Sequence, residues 1–190
     1  MIVLCLFLLV FVNSQTCVPK ADVLFLVDGT STFSCANWCT IISFYKSFVN
    51  SLTNVGNNGL KIGMVQYAGN TYASAKIEFD FSGNRAAIIT ALNNLQRNGG
   101  TCNGGCAGRV GGTNRPFGYG MARANAMFSS TGRPGIPKFM FILGGGDPVP
   151  YGGGVFGSTS YCQNYTCLKS EAIKLYNTYG VITSTIRIGT

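Results

Sequence analysis

Three oxygen-bearing side chains follow an apolar run near the start of the chain. The run over residues 21–27 leads into Asp28, and Thr30 and Thr32 follow at alternate positions. A carboxylate and two hydroxyls at the carboxyl end of a strand can converge on a hard cation such as Mg²⁺, which takes few protein ligands and keeps several waters. Asp-Gly followed by hydroxyl residues is also ordinary turn chemistry, so the spacing alone leaves a metal site and a turn as alternatives.

The length and composition predict one globular domain behind a secretion signal. The chain has 190 residues, of which 46% are apolar and only 11% charged, enough for one substantial core. Residues 1–14 are nearly all apolar and end in the small residue Ser14, which indicates a signal peptide cleaved there. A membrane anchor is the alternative, but the run is shorter than the roughly 20 residues that span a bilayer. We therefore expect a secreted mature domain over residues 15–190, without stable membrane insertion.

The charge and the absence of histidine argue against two classes of function. The net charge of +8 comes from scattered lysines and arginines, which favours weak attraction to acidic glycans over nucleic-acid binding. With no histidine in the chain, neither a Ser-His-Asp nor a Cys-His arrangement can form. A hydrolase built on Asp28 or Ser31 is the enzyme alternative, but the six acidic residues offer no obvious closely spaced catalytic pair. We expect a non-enzymatic protein.

Hydrophobic periodicity predicts an alternation of strands and helices. The helices are expected at about 34–52, 85–96, 116–128 and 168–179, and the strands at 21–28, 60–68, 72–79, 138–143 and 181–188. The strands at 60–68 and 72–79 read as a hairpin across Gly69-Asn70. The pattern predicts a doubly wound α/β fold whose sheet is mostly parallel with one antiparallel edge strand. Ligands of such sheets bind beyond the carboxyl ends of the strands, where the strand order reverses.

Three segments in this order resemble the von Willebrand factor type A domain. They are the first strand with Asp28, Thr30 and Thr32, the segment Lys61–Tyr67, and the segment Gly111–Asn114. The resemblance implies a metal-ion-dependent adhesion site for Mg²⁺, with Thr113 as a further ligand. It also implies that an acidic side chain of a partner completes the coordination of the metal. The family sheet has six strands, so this chain would lack the last strand and the last helix.

The third motif of the family site is lost, which makes the site degenerate. The family has Thr-Asp-Gly after the fourth strand, whereas Gly145 occupies the expected carboxylate position here. Asp147 comes two residues later, and ordering each flexible residue to bring it back would cost about 1 to 2 kcal/mol. Asp147 is therefore either a fifth ligand or the start of a loop, and we favour the loop. Mg²⁺ binding should be weakened.

The cysteines are expected to form disulfides, because the chain is predicted to be exported. Removing Cys5 with the signal leaves seven of the eight cysteines, three close pairs and Cys17. Cys17 is thus a candidate for an intermolecular disulfide. A zinc site formed by two of the pairs is the less favoured alternative, because the C-x-x-x-C spacing is unusual for zinc. Asn164 opens a glycosylation sequon between the cysteines of the third pair, Cys162 and Cys167.

The first two pairs, Cys35 with Cys39 and Cys102 with Cys106, are expected to bridge each other. Residues four apart in a helix hold their Cβ atoms about 5 to 6 Å apart, whereas a disulfide needs about 3.5 to 4.5 Å. Local closure, with the helix beginning after Cys35, is the alternative.

These features favour an adhesion or extracellular-matrix binding module that takes a protein or glycan partner at the carboxyl end of the sheet. A structural component of a disulfide-linked extracellular coat, joined through Cys17, is the alternative.

Overall fold

The sheet of this protein has β1 at its centre. The computed structural model describes residues 20–31, 33–69, 74–96, 108–110, 117–144 and 165–187. The elements are β1 (Ala21–Asp28), α1 (Cys35–Ser51), β2 (Leu60–Tyr67), β3 (Lys76–Ser82), α2 (Arg85–Gln96), α3 (Phe117–Ser130), β4 (Lys138–Gly144), α4 (Tyr165–Tyr179) and β5 (Val181–Arg187). The described strands are ordered β3-β2-β1-β4-β5, and only the β2–β3 pair is antiparallel. The predicted α/β fold with one antiparallel edge strand is confirmed.

Helices cover both faces of the sheet, so the core has two halves. All eight residues of β1 are buried, as expected for a central parallel strand covered on both sides. Val23 and Phe25 belong to the cluster that packs against α1 and α2. Leu24 and Leu26 belong to the cluster that packs against α3 and α4. The alternation of side chains along β1 therefore divides the core.

Side-chain hydrogen bonds hold α1 against α2. Ser34 caps α1 by accepting a hydrogen bond of 3.1 Å from the amide of Asn37, a favoured use of serine at this position. The indole of Trp38 donates to the carbonyl of Leu95 at 3.1 Å. The amide of Gln96 donates to the carbonyl of Cys39 at 3.1 Å. The beginning of α1 is thus attached to the end of α2.

The strand β3 differs from the sequence prediction. It covers Lys76–Ser82 instead of 72–79, and residues 70–73 lie outside the described part of the chain. Lys76 pairs with Gln66, and Ser82 pairs with Ile62. Pairing thus begins opposite the end of β2, and the connection between the two strands covers positions 68–75, where a shorter one across Gly69-Asn70 was expected. The helix α4 begins at Tyr165, slightly earlier than predicted, and none of the helices in the described ranges is long and apolar enough to span a membrane.

A buried ion pair joins three segments at the amino end of the sheet. The Nε atom of Arg133 lies 2.7 Å from Oδ1 of Asp22, which is fully buried. The backbone amide of Arg133 donates to Oδ2 of Asp22 at 2.6 Å. The terminal guanidinium nitrogens of Arg133 donate to the carbonyls of Ala21, Gly59 and Asn57. One guanidinium group therefore connects the start of β1 with the loops before β2 and β4.

Candidate functional site

The carboxyl end of β1 holds a buried carboxylate and a buried hydroxyl residue. Asp28 and Thr30 are both 0% exposed. The amide of Thr30 donates a 2.9 Å hydrogen bond to Oδ1 of Asp28, so the turn after β1 orients the carboxylate. Because β2 and β4 flank β1, the strand order reverses here, and ligands of such sheets bind at this position.

The glycine between these two residues lies against two groups of β2. The amide of Gly29 donates to the carbonyl of Tyr67 at 2.9 Å. A Cβ atom at Gly29 would lie only 2.0 Å from Oε1 of Gln66. The turn that carries Asp28 and Thr30 therefore packs directly on the Gln66 side chain, which a side chain at position 29 would displace.

The structure brings two of the five predicted ligands together. Asp28 and Thr30 share one turn, whereas Thr32, Thr113 and Asp147 lie outside the described residues. Within the described ranges, no group of three or more His, Cys, Asp or Glu side chains could hold a metal ion. The complete ligand set therefore remains a prediction.

The two described candidates have the chemistry that a hard cation needs. A carboxylate and a hydroxyl are oxygen donors of the kind that Mg²⁺ and Mn²⁺ prefer. Both residues are buried at the end of the central strand, where water competes little with a bound ligand. Asp28 and Thr30 thus fit one side of a divalent cation site.

Gln66 is a residue of this site that the sequence reasoning did not identify. Its side chain is fully buried, and its Nε2 donates to Oε1 of Glu78 at 2.8 Å and to the carbonyl of Gly108 at 3.0 Å. Its Oε1 accepts a hydrogen bond of 2.5 Å from the amide of Val110. The signal was present in β2, because glutamine stands at a position that alternation would give to an apolar residue.

These observations fit the family that the sequence motifs indicated. Residues 22–183 match the family model of the von Willebrand factor type A domain. The chain belongs to this family.

Curated relatives of this type A domain are much longer proteins. The chain is 25% identical over 130 residues to the mouse collagen alpha-4(VI) chain, covering 67% of this chain and 5% of the relative. It is 30% identical over 94 residues to mouse vitrin, covering 48% of this chain and 14% of the relative. The chain therefore spans only a small part of either relative.

Solved structures share the fold of this type A domain. Proximal thread matrix protein 1 from the mussel byssus has a TM-score of 0.64 at 20% identity, over 90% of this chain and 37% of the mussel chain. A second structure of that protein has a zinc-occupied MIDAS motif. The manganese-loaded TRAP protein of Plasmodium vivax has a TM-score of 0.61 at 15% identity, over 92% of this chain and 59% of the other. At these identities the likeness concerns the fold.

Two cysteines lie in the helix that follows the candidate site in the sequence. Cys35 and Cys39, in the first turns of α1, are both disulfide-bonded. Cys102 and Cys106 lie outside the described residues. The predicted connectivity between the two pairs therefore remains a prediction.

A cleft lies at the opposite, amino end of the sheet. It has a volume of about 550 Å³, and its lining includes Phe128, Ile136, Lys138 and Tyr179. The ammonium group of Lys138 donates to the carbonyls of Arg133 and Ile136 at 2.9 and 3.1 Å. Lys138 thus fastens the loop before β4, and the carboxyl end of β1 remains the candidate site.

Proposed function

We propose that this type A domain is a secreted, non-enzymatic adhesion or extracellular-matrix binding module. The observation that carries the proposal is the buried Asp28–Thr30 turn at the reversal of strand order. The partner, an extracellular protein or a glycan, binds at this end of the sheet. The similarity to a collagen chain supports the matrix setting.

In the proposed role, a divalent cation contributes weakly to partner binding. Asp28, Thr30, Thr32 and Thr113 would hold the ion, with Asp147 as a less favoured fifth ligand. The zinc-occupied MIDAS motif of one protein of the same fold and the manganese-loaded state of another support the proposal of a divalent cation. The ion would supply positive charge to an acidic group of the partner. The glycine at position 145 leaves that charge poorly neutralised, which is why we propose weak and dispensable Mg²⁺ binding.

The test is titration of the protein with Mg²⁺ and with Mn²⁺ by isothermal calorimetry. We expect weak binding that Asp28→Ala abolishes and that Gly145→Asp strengthens by about tenfold, since charged hydrogen-bonding and ligand groups are worth roughly 1.5 kcal/mol or more. Asp80→Ala is the matched control, because Asp80 is an exposed acid on β3 and its loss changes the charge equally. Tight binding that survives Asp28→Ala would refute the ligand assignment.

The disulfide-linked coat is the alternative role. The odd number of cysteines left after removal of the signal favours it, because Cys17 then has no obvious partner within the chain. Migration of the mature protein on a non-reducing gel separates the two roles. Monomers support the adhesion module, whereas polymers that Cys17→Ser abolishes would support the coat.

A further inference from the structure

A three-residue segment of the long glycine-rich region is attached to the candidate site. We call Gly108–Val110 the strap and the described residues 28–31 and 33 the site loop. Gln66 accepts from the amide of Val110 and donates to the carbonyl of Gly108, so it binds both ends of the strap. The guanidinium group of Arg109, in the middle of the strap, donates to the carbonyl of Phe33. The strap thus contacts the far end of the site loop as well as β2.

The close packing of the strap requires glycine at its first position. A Cβ atom at Gly108 would lie 2.3 Å from the Cα atom of Leu95 in α2. Backbone atoms cannot move aside as the end of a flexible side chain can, so a substitution here would displace the strap. The strap is therefore fitted between the end of α2, the end of β2 and the residue Phe33 that precedes α1.

The orientation of the Gln66 amide is fixed by three independent partners. The carboxylate of Glu78 and the carbonyl of Gly108 can only accept hydrogen bonds, so both must face Nε2. The amide of Val110 can only donate, so it must face Oε1. Glu78 has a side chain only 3% exposed, and its other oxygen pairs with Lys76 at 2.8 Å. Glu78 on β3 thus helps to determine that Nε2 of Gln66 faces Gly108 and that Oε1 faces Val110.

Gln66 also supports the site loop directly. Its Oε1 occupies the space beside Gly29 that a Cβ atom would need. The site loop therefore contacts Gln66 at Gly29 and Arg109 at Phe33. Asp28 and Thr30 flank Gly29, so they lie in the part that Gln66 supports.

We propose that Gln66 and Arg109 are positioning residues, which hold the site loop through the strap and so set the geometry of Asp28 and Thr30. The consequence for metal binding rests on the function proposed above, whereas the consequence for the loop does not. Glu78 affects the site loop indirectly, because it orients the side-chain amide of Gln66.

The first experiment measures hydrogen exchange of the full chain in the absence of metal. The variant Gln66→Glu loses the two N–H donors that bind Glu78 and Gly108, and it places a second carboxylate against that of Glu78. We therefore expect the amides of Gly29, Thr30 and Val110 to exchange at least about tenfold faster. The double variant Gln66→Glu with Glu78→Gln removes the facing charges while Oε1 still accepts from Val110, and part of the protection should return. Arg109→Met should accelerate exchange at Phe33 and leave Gln66 in place.

Arg133→Met is the matched control, because it removes a partly buried hydrogen-bonded group at the opposite end of the sheet. It should lower the melting temperature as much as Gln66→Glu without a selective change at Gly29 and Thr30. If Gly29 and Thr30 respond no more strongly to Gln66→Glu than to Arg133→Met, the positioning role is wrong.

The second experiment titrates the same variants with Mn²⁺. A positioning role predicts that Gln66→Glu weakens Mn²⁺ binding by about tenfold, that Arg133→Met does not, and that the double variant recovers part of the affinity. If the unsubstituted protein binds no Mn²⁺, the metal part of the proposed function fails, and the exchange measurement alone decides the role of the strap. Unchanged Mn²⁺ affinity in Gln66→Glu, with binding intact in the unsubstituted protein, would overturn the inference.

Discussion

At the scale of single residues, the Asp28–Thr30 turn of the site could be predicted from the sequence, whereas the role of Gln66 could not. Asp28 and Thr30 could be predicted because their relation is local, two positions apart in one turn. Gln66 is recognisable in β2 as a polar residue at an apolar position, but its role could not be predicted, because its partners Glu78 and Val110 lie 12 and 44 residues later in the chain. A buried glutamine is stable only when its amide is satisfied, and the sequence does not say which groups satisfy it.

Tyr45 makes the folded state sensitive to alkali. Its side chain is fully buried, and its hydroxyl has no hydrogen-bond partner among the described residues. Desolvation by burial, followed by the charge of Tyr67, raises the pKa of Tyr45 well above the ordinary value of 10.0. In the unfolded chain the phenol ionises near that ordinary value, so stability is complete below it. It should fall at higher pH by up to about 1.4 kcal/mol per pH unit, until the folded pKa is reached.

Tyr45→Phe should therefore flatten the loss of stability above pH 10. It should also stabilise the protein at neutral pH by about 1 kcal/mol, because an unpaired buried hydroxyl is removed. Urea unfolding between pH 7 and 11 measures both effects. Tyr176→Phe is the matched control, since that ring is 70% exposed. Equal slopes above pH 10 for the unsubstituted protein and Tyr45→Phe would contradict the argument.

The disulfide connectivity is a second prediction at this scale. We expect Cys35 and Cys39 to be linked to Cys102 and Cys106, because local closure would strain the first turns of α1. Such links would hold the glycine-rich loop against the beginning of that helix. Peptide mapping of the unreduced protein is the measurement. A fragment that joins Cys35 only to Cys39 would show local closure instead.

At the scale of elements, helices were predicted more accurately than the hairpin. The helix α2 has the predicted bounds Arg85–Gln96, since its apolar period is a local property of the sequence. The strand β3 was placed several residues too early, because its register depends on pairing with β2 and includes two register shifts. Hairpin register follows the whole connection between the strands, and the Gly69-Asn70 signal represents only a part of that connection.

The strand β5 lies last in the described strand order and carries exposed apolar side chains. Ile182 and Ile186 are 53% and 40% exposed, and both lie on the α1 side, next to Phe139 and Leu143 of β4. The sequence Ile-Thr-Ser-Thr-Ile over 182–186 reads the same in both directions. An antiparallel pair of such strands would match isoleucine with isoleucine, and exposed edges of this kind promote association.

Replacing both isoleucines by threonine should reduce aggregation of the isolated chain. The change keeps the branched side chains that suit a strand but removes apolar surface from the edge. Light scattering during concentration measures the effect. Ile173→Thr, at an exposed position of α4, is the control and should have a smaller effect. If aggregation is equal in all three proteins, the edge of β5 is not its cause.

At the scale of the whole molecule, the two ends of the sheet have different roles. The carboxyl end carries the candidate site, whereas the amino end is held together by Arg133 and Asp22. Arg133→Met should destabilise the protein by about 3 kcal/mol, because it leaves the carboxylate of Asp22 buried without its charge partner. Thermal unfolding followed by circular dichroism is the measurement.

Lys174→Met, on the exposed surface of α4, removes the same charge and should change stability by less than about 0.5 kcal/mol. Arg133→Lys should restore only part of the loss, since an ammonium group cannot reproduce the planar set of donors. A small effect of Arg133→Met, comparable with that of Lys174→Met, would contradict this role.

The parallel arrangement of β1, β4 and β5 also determines how the domain would respond to a mechanical load. Tension applied between Ala21, where β1 begins, and Arg187, where β5 ends, would run along the strands and shear the β1–β4 and β4–β5 ladders. Shear loads the evenly spaced hydrogen bonds of a parallel ladder together, whereas a peeling force breaks them one after another. A domain pulled in this direction should extend abruptly at a high force.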